Sequence, residues 1–412
     1  MSFRIKLTLL CFAVGITIPQ LSFAEKAKLE QSSAVTLSSL TQRVYELHPA
    51  HLNELAQQQQ INANMNLANA LFADVSTVNL THRNDTIGSN DGLQEWEGSV
   101  AMPLWLPGQK QQQSAFADTL SAELPAYQQQ TKLAASAKVR ELVWNVVVAN
   151  TDMTHAYQVW QTAQKLEQDV IARVKAGELA ATERLLATNN VLEMKHQYLL
   201  KNAELDHALT SYRAITKERF LPQTFGELLS DKQEIDQNHP SIMLLDQQID
   251  TLRAKQELAH FDSKVNPSLS VGVRHDRGAN DTNFNNSLGL GISFALDNEV
   301  YRRPAIAAAA RALADKEVER QQLQRELNIQ LFSYLHDLET KRLQLDLLNE
   351  QDKTTQEYLA SQQRAFELGE LDLVGLLRSQ SLANEIHNRK LALEVDIQHT
   401  IALINQAVGV IL

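Results

Sequence analysis

Twelve histidines and 49 acidic side chains are this chain's supply of metal ligands and general acids and bases, and their spacing does not gather them. A metal site on one helix needs histidines at i,i+4, as in His-Glu-x-x-His, so that both rings leave the same face. No two of the twelve stand four apart, and His48 and His51 flank a proline. The Gly-rich phosphate loop GxxxxGK[ST] and the nucleophile turn GxSxG are absent. The run DRGANDTNFNN, Asp276 to Asn286, is acidic and Asn-rich but lacks an EF-hand's spacing, so it reads as a solvated hairpin loop. The histidines read as surface or packing residues. The expectation is a chain with no catalytic set, no metal ligand and no cofactor: not an enzyme.

The single cysteine, Cys11, lies in an apolar run, Leu7 to Ile18, preceded by Arg4 and Lys6 and followed by Ser22-Phe23-Ala24. A basic start, an apolar middle and small residues before a cut are the pattern of a secretory signal peptide, read here as residues 1–24. A mature chain without cysteine fits an oxidising compartment. Setting aside Arg4 and Lys6 leaves 36 basic residues against 49 acidic ones, a net charge of −13 that excludes nucleic acid as a partner. Beyond residue 24 no stretch reaches the roughly 18 apolar residues of a membrane helix, so a membrane could be crossed only by strands.

The elements come in two copies. LHPAHLNELAQQQQINANMNLANALFADVSTVNLTHRND matches NHPSIMLLDQQIDTLRAKQELAHF and the residues after it at a constant offset, His48-Pro49 on His239-Pro240, Ala63 on Ala254, Leu67 on Leu258, Arg83 on Arg274 and Asp85 on Asp276. Such duplication governs the fold reading. In the first copy, Thr36 to about Phe72 reads as helix broken at His48-Pro49, because the residue before a proline leaves the helical region. The period then drops to two: Val78, Leu80 and His82 alternate with Thr77, Asn79 and Thr81. After the turn-forming run DTIGSNDG the alternation resumes from Trp96 to Leu104, which makes a hairpin. The second copy repeats this with Leu269, Val271 and Val273, then Leu288, Leu290, Ile292 and Phe294 opposite Gly289, Gly291 and Ser293. Each half so offers two strands of about ten residues, the length of a tilted membrane strand. The face of Leu288, Leu290, Ile292 and Phe294 is the candidate lipid contact.

A short break follows each hairpin, Leu106 to Gly108 and Leu296 to Pro304, and then a very long helix. From Gln109 to Ala176 there is one proline and no glycine, 68 residues or about 100 Å of helix. Within it Ala135, Val139, Leu142, Val146, Ala149, Met153, Ala156, Trp160 and Ala163 recur at alternating spacings of four and three, a heptad seam. Gln57 to Gln60 and Gln111 to Gln113 read as solvated helix faces. Gly177 and Gly369, each followed by Glu-Leu, turn the chain back, as glycine does by accepting the left-handed conformation.

The order of helix, strand, turn, strand, long helix, glycine turn and long helix, given twice, resembles the TolC-like outer-membrane efflux factors over nearly the whole mature chain. The residues that carry the resemblance are VTLSSLTQRVYELHP, MPLWLPGQKQ at the strand-to-helix junction and the two Gly-Glu-Leu turns. His48-Pro49 stands where the family usually has Asn-Pro, and FALDNEVYRRP lacks the family's Pro-Leu pair and glycine at the second junction. The resemblance implies a mainly α fold with a small β membrane part, two tandem repeats (25–222 and 223–412), and four strands per protomer that form a 12-stranded barrel in a homotrimer. Four strands alone cannot close, since the smallest barrels have about eight, so membrane strands would force oligomerisation. The implied role is a passive exit duct of a tripartite efflux pump, for small molecules or metal cations, in the outer membrane of a Gram-negative bacterium. Its partners would be a periplasmic adaptor, an inner-membrane pump and outer-membrane lipid. Two other readings stay open: the duct of a type I protein secretion system, and a soluble periplasmic coiled-coil structural protein or adhesin. In TolC-like proteins acidic residues stand six residues past the first turn glycine, and six and nine past the second. Here those positions hold Glu183, Gly375 and Arg378, with Glu370 and Asp372 nearby. The pattern implies a closure at the helix tips in which Glu183 of one hairpin pairs with Arg378 of another.

Overall fold

The computed structural model describes residues 29–296 and 299–412. The expected signal peptide and Cys11 lie outside the described residues. In chain order the elements are β1 (Gln31–Ser32), α1 (Leu37–Glu46), α2 (His51–Asn69), β2 (Thr77–Asn84), β3 (Gln94–Pro103), α3 (Gln109–Ala176), α4 (Ala181–Thr216), β4 (Leu221–Pro222), α5 (Pro240–Asp262), β5 (Ser268–Arg277), β6 (Asn285–Ser293), α6 (Glu299–Glu367) and α7 (Leu373–Ala407). The fold is mainly α with a small sheet part, as the sequence implies.

Local chemistry sets the boundaries. Thr36 caps α1 reciprocally with Ser39: its hydroxyl accepts from the Ser39 N–H at 3.1 Å while its own N–H donates to the Ser39 hydroxyl at 3.0 Å. The repeated His-Pro pair has one job in both copies. Nδ1 of His48 accepts from the Ala50 N–H at 3.1 Å, and Nδ1 of His239 accepts from the Ser241 N–H at 3.2 Å. An acceptor reaching two residues on is what an Asn side chain supplies at such a turn, so a histidine serves in its place. Pro240 occupies the first helical position, where its missing N–H costs nothing.

The long helices end as the glycines dictate. Gly177 and Gly369 have φ of 78° and 79°, and the next residues, Glu178 and Glu370, donate back to the Arg173 and Ala365 carbonyls at 2.9 Å. The second junction differs from expectation. The break after β6 is shorter than Leu296 to Pro304, because α6 begins at Glu299 and contains Pro304. Pro304 is the sixth residue of α6, so it forgoes the hydrogen bond to the carbonyl four residues back, and a helix of 69 residues runs through that one loss.

α3 packs along α4 and, beyond α4, along α2 and α5; α6 packs along α7 and α5. The two hairpins meet where α3 touches α7, so the helical layer runs α4, α3, α7, α6. Of the expected seam, Ala135, Val139, Leu142, Val146, Met153 and Ala163 are buried, and Ala149, Ala156 and Trp160 are half-buried. The largest core joins α1, α3 and α4 around Leu40, Val143, Leu205 and Tyr212. A second joins α6 and the end of α7 around Leu331, Ile401 and Ile404. A third binds the tips of both hairpins around Val170, Phe366, Leu373 and Leu376. The Gln111 to Gln113 tract is not wholly solvated: Gln113 is buried and donates to Asn64 at 3.3 Å, which lets α3 lie close on α2.

Candidate functional site

The sheet has the order β2-β3-β5-β6, antiparallel throughout. Residues opposite one another in such a sheet share a face, so the register sorts the side chains. One row reads Val78, Val100, Val271, Leu290 and the next Leu80, Gly98, Val273, Leu288; Met102, Leu269 and Ile292 form a third. This face is apolar across all four strands, and Val78, Leu80, Leu288 and Leu290 are each at least 70% exposed. Toward the hairpin loops the same face turns polar, with the row His82, Trp96, His275 and Asn286, the His82 and Trp96 rings stacked 4.0 Å apart, and then Asn84, Gln94 and Arg277.

The other face is polar. Its rows hold Asn79, Ser99, Gly272 and Gly289, then Thr81, Glu97, Arg274 and Ser287. Glu95 is the hub of its charge: Arg83 donates to one carboxylate oxygen at 3.2 Å and Arg274 to the other at 3.1 Å. Leu288, Leu290 and Ile292 so lie on one face with the apolar rows of the neighbouring strands. Phe294, expected on the same face, follows the last residue of β6 and borders a cavity with Leu106 and Pro107 at the strand-to-helix junction.

Among the described residues, both margins of the chain are unfinished. β2 and β6 each have one neighbour, so their outer backbone groups have no strand to pair with. The outer helices also carry unpartnered apolar stripes. On α4, Leu185, Leu192 and Leu199 recur every seven residues and each is more than half exposed. On α6, Ile329, Phe332, Leu343 and Leu347 do the same at three-, eleven- and four-residue steps. Those intervals keep one helix face.

The helix tips hold the other expected residues. Asp372 caps α7, its carboxylate accepting from the Gly375 N–H at 2.8 Å. Gly375 fits that tight first turn because a Cβ there would meet the Leu371 Cδ1 at 2.6 Å. Glu370 and Arg378 are exposed. Glu183, in the first turn of α4, has a buried carboxylate oxygen with no hydrogen-bond partner among the described residues. Glu183 and Arg378 are therefore not joined within one chain. Arg173 ties the hairpins here, donating to the Phe366 carbonyl at 3.0 Å and lying 4.8 Å over its ring.

No family model matches the chain, and no curated protein does. Solved structures do. The Campylobacter jejuni CmeC outer membrane channel aligns over 99% of this chain and 94% of its own at 12% identity and a TM-score of 0.70. The outer membrane protein VceC of Vibrio cholerae aligns over 90% and 96% at 10% identity and 0.71. The open state of the Neisseria gonorrhoeae MtrE outer membrane channel aligns over 90% and 88% at 15% identity and 0.68.

The chain has the TolC-like fold.

Within that fold the resemblance drawn from the sequence places the strands and the tips, but two features escaped it. The first is the pair of stripes on α4 and α6; the seven-residue recurrence of Leu185, Leu192 and Leu199 was the available signal. The second has no sequence signal. His155 of α3 and His387 of α7 are 232 positions apart and their rings lie 5.8 Å from one another at the hairpin seam. His399 meets Trp144 in the same seam at 5.7 Å. Among the described residues no group of three or more His, Cys, Asp or Glu is placed to hold a metal ion.

Proposed function

We propose that the protein is the passive outer-membrane duct of a tripartite efflux system. It is a homotrimer whose sheets close into one 12-stranded barrel and whose helices form one tunnel through the periplasm of a Gram-negative bacterium. The observation that carries this reading is the four-stranded sheet with a broad exposed apolar band on one face and two unpaired edges. In water such a face favours aggregation and such edges recruit strands. In a bilayer the face is solvated by lipid, and the edges must pair because each unsatisfied backbone group costs several kcal/mol. The row of Trp96 with His82 and His275 suits the interface, where amphipathic rings collect.

Closure by copies of the same chain satisfies both margins together. β6 of one protomer pairs with β2 of the next, and the stripe on α6 packs on the stripe on α4. The TolC-like resemblance selects three copies, and twelve strands leave a lumen lined by Glu95, Arg274 and the glycines of the polar face. The tips, far from the membrane, meet a periplasmic adaptor, and an inner-membrane pump supplies the energy. The cargo is small molecules or metal cations. The apolar face argues against a soluble structural protein or adhesin.

The test is fractionation and sizing. The protein is expected in outer-membrane fractions as a detergent-stable trimer that conducts in planar bilayers. Recovery as a soluble monomer from periplasmic extract overturns the reading.

A further inference from the structure

The two hairpins are held together by apolar packing at the tip, around Val170, Phe366 and Leu373, and again farther from it, where Trp144 stacks on His399 and Ala402 of α7 joins the α3 core. Between these levels the seam is polar and loosely filled. A cavity of 510 Å³ opens on the α4 side of His155, and another of 320 Å³ on the α6 side; His155 borders both. Across the seam His387 faces it at 5.8 Å, ring to ring.

Around this pair three cations stand against four carboxylates. On α3, Asp152 is 3.1 Å from Lys201 of α4, which also meets Glu204. On α6, Asp352 lies 3.2 Å from Lys390 of α7 and 3.4 Å from His387. On α7, Glu385 borders the larger cavity and is paired with Arg389. Protons added to both histidines would turn that single negative excess into a single positive one, with the two new charges facing each other across the seam. Like charges across the seam repel, the more so because the His155 ring is half-buried.

We propose that the α3–α7 seam is a proton-operated joint, in which positive charge on His155 and His387 together drives the two hairpins apart about 30 Å from their tips. The two cavities supply the room for ring movement and water entry. Burial, and next His387, hold the His155 ring below its ordinary value of 6.5, while Asp152 opposes them. A lowered folded-state value has a definite sign for histidine: the packed seam is at full strength above about 6.5 and weakens as pH falls below it.

The seam can be probed by thiol labelling, because Cys11→Ser leaves no native thiol. Ala163→Cys places a thiol on a buried position lining the larger cavity, and Gln161→Cys on an exposed position of the same helix. The ratio of their labelling rates cancels the effect of pH on thiol reactivity. In the detergent-solubilised assembly the ratio is expected to rise about fivefold or more from pH 7.5 to pH 5.5. His387→Gln, which keeps His155 but removes the repulsion, is expected to abolish the rise, and so is His155→Gln with His387→Gln. Asp152→Asn is expected to move the rise to lower pH, because the carboxylate that favours the charged ring is gone. A ratio independent of pH, or a rise that survives His387→Gln, overturns the proposal. Neither result bears on whether the protein conducts.

Discussion

Arg140 sits midway along α3 with its side chain 2% exposed, and its guanidinium forks onto both oxygens of Glu227 at 2.8 and 2.7 Å. It also donates to Gln406 and, at 3.1 Å, to the Val410 carbonyl, while Asn405 donates to Glu227 at 3.0 Å. One buried cation so fastens α3 to the segment between the halves and to the end of the chain. An ion pair this dry is worth little against apolar residues of equal size, because desolvation offsets the attraction, yet breaking one side strands a charge. Glu227→Gln is therefore expected to cost about 3 to 5 kcal/mol, read as a lower denaturation midpoint, whereas Arg140→Leu with Glu227→Leu should lose much less. A double variant as unstable as Glu227→Gln would contradict this. The sequence does not reveal Arg140, because its partners lie 87 to 270 positions away and it is one of 38 basic residues. Gly177 and Gly369, by contrast, were legible, since their role is local backbone.

At the scale of elements, legibility followed the range of the interaction. Helix starts at Thr36 and Pro240, the glycine turns and the four strands depend on neighbours within a few residues, and the chain shows them. Register and face depend on partners across the sheet, and here the duplication helped, since alternation in each copy had only to be laid side by side. The internal proline Pro304 misled, because a helix of 69 residues absorbs the loss of one backbone hydrogen bond. The faces give a direct comparison of two adjacent positions in β6. Leu290 continues the apolar row with Val271, and Gly289 lies on the polar face, where a Cβ would meet nothing nearer than the Gly272 carbonyl at 3.8 Å. Gly291 is a poorer probe, because a Cβ there would approach the Ser270 hydroxyl oxygen to 2.6 Å. Leu290→Arg is expected to cost about 2 to 4 kcal/mol near the bilayer midplane, measured by refolding into vesicles, while Gly289→Arg mainly changes conductance. Equal tolerance of arginine at both positions would place the wrong face in lipid.

At the scale of the whole molecule, the single chain is incomplete in a way that points to its assembly. It has two open strand edges and apolar stripes on its two outer helices, α4 and α6, and in the proposed trimer one rotation satisfies both. The tip adds a further unsatisfied group in Glu183, whose buried carboxylate oxygen has no partner among the described residues, while Arg378 of the other hairpin is exposed. Asp372 is engaged in capping α7 and Gly375 has no side chain to offer, so an acidic ring of the usual TolC-like kind cannot form from these positions. In the proposed trimer, Glu183 of one protomer meets Arg378 of the next and closes the periplasmic end. An exposed pair of this type is worth less than about 1 kcal/mol, but three related copies with one buried oxygen each act together. Glu183→Arg alone and Arg378→Glu alone are each expected to raise basal conductance in planar bilayers, because each sets like charges against one another at the closure. The exchanged double variant restores the opposite signs and should close again. If it leaks as much as the two single variants combined, the tip charges do not form the gate, and docking of the adaptor becomes their better explanation.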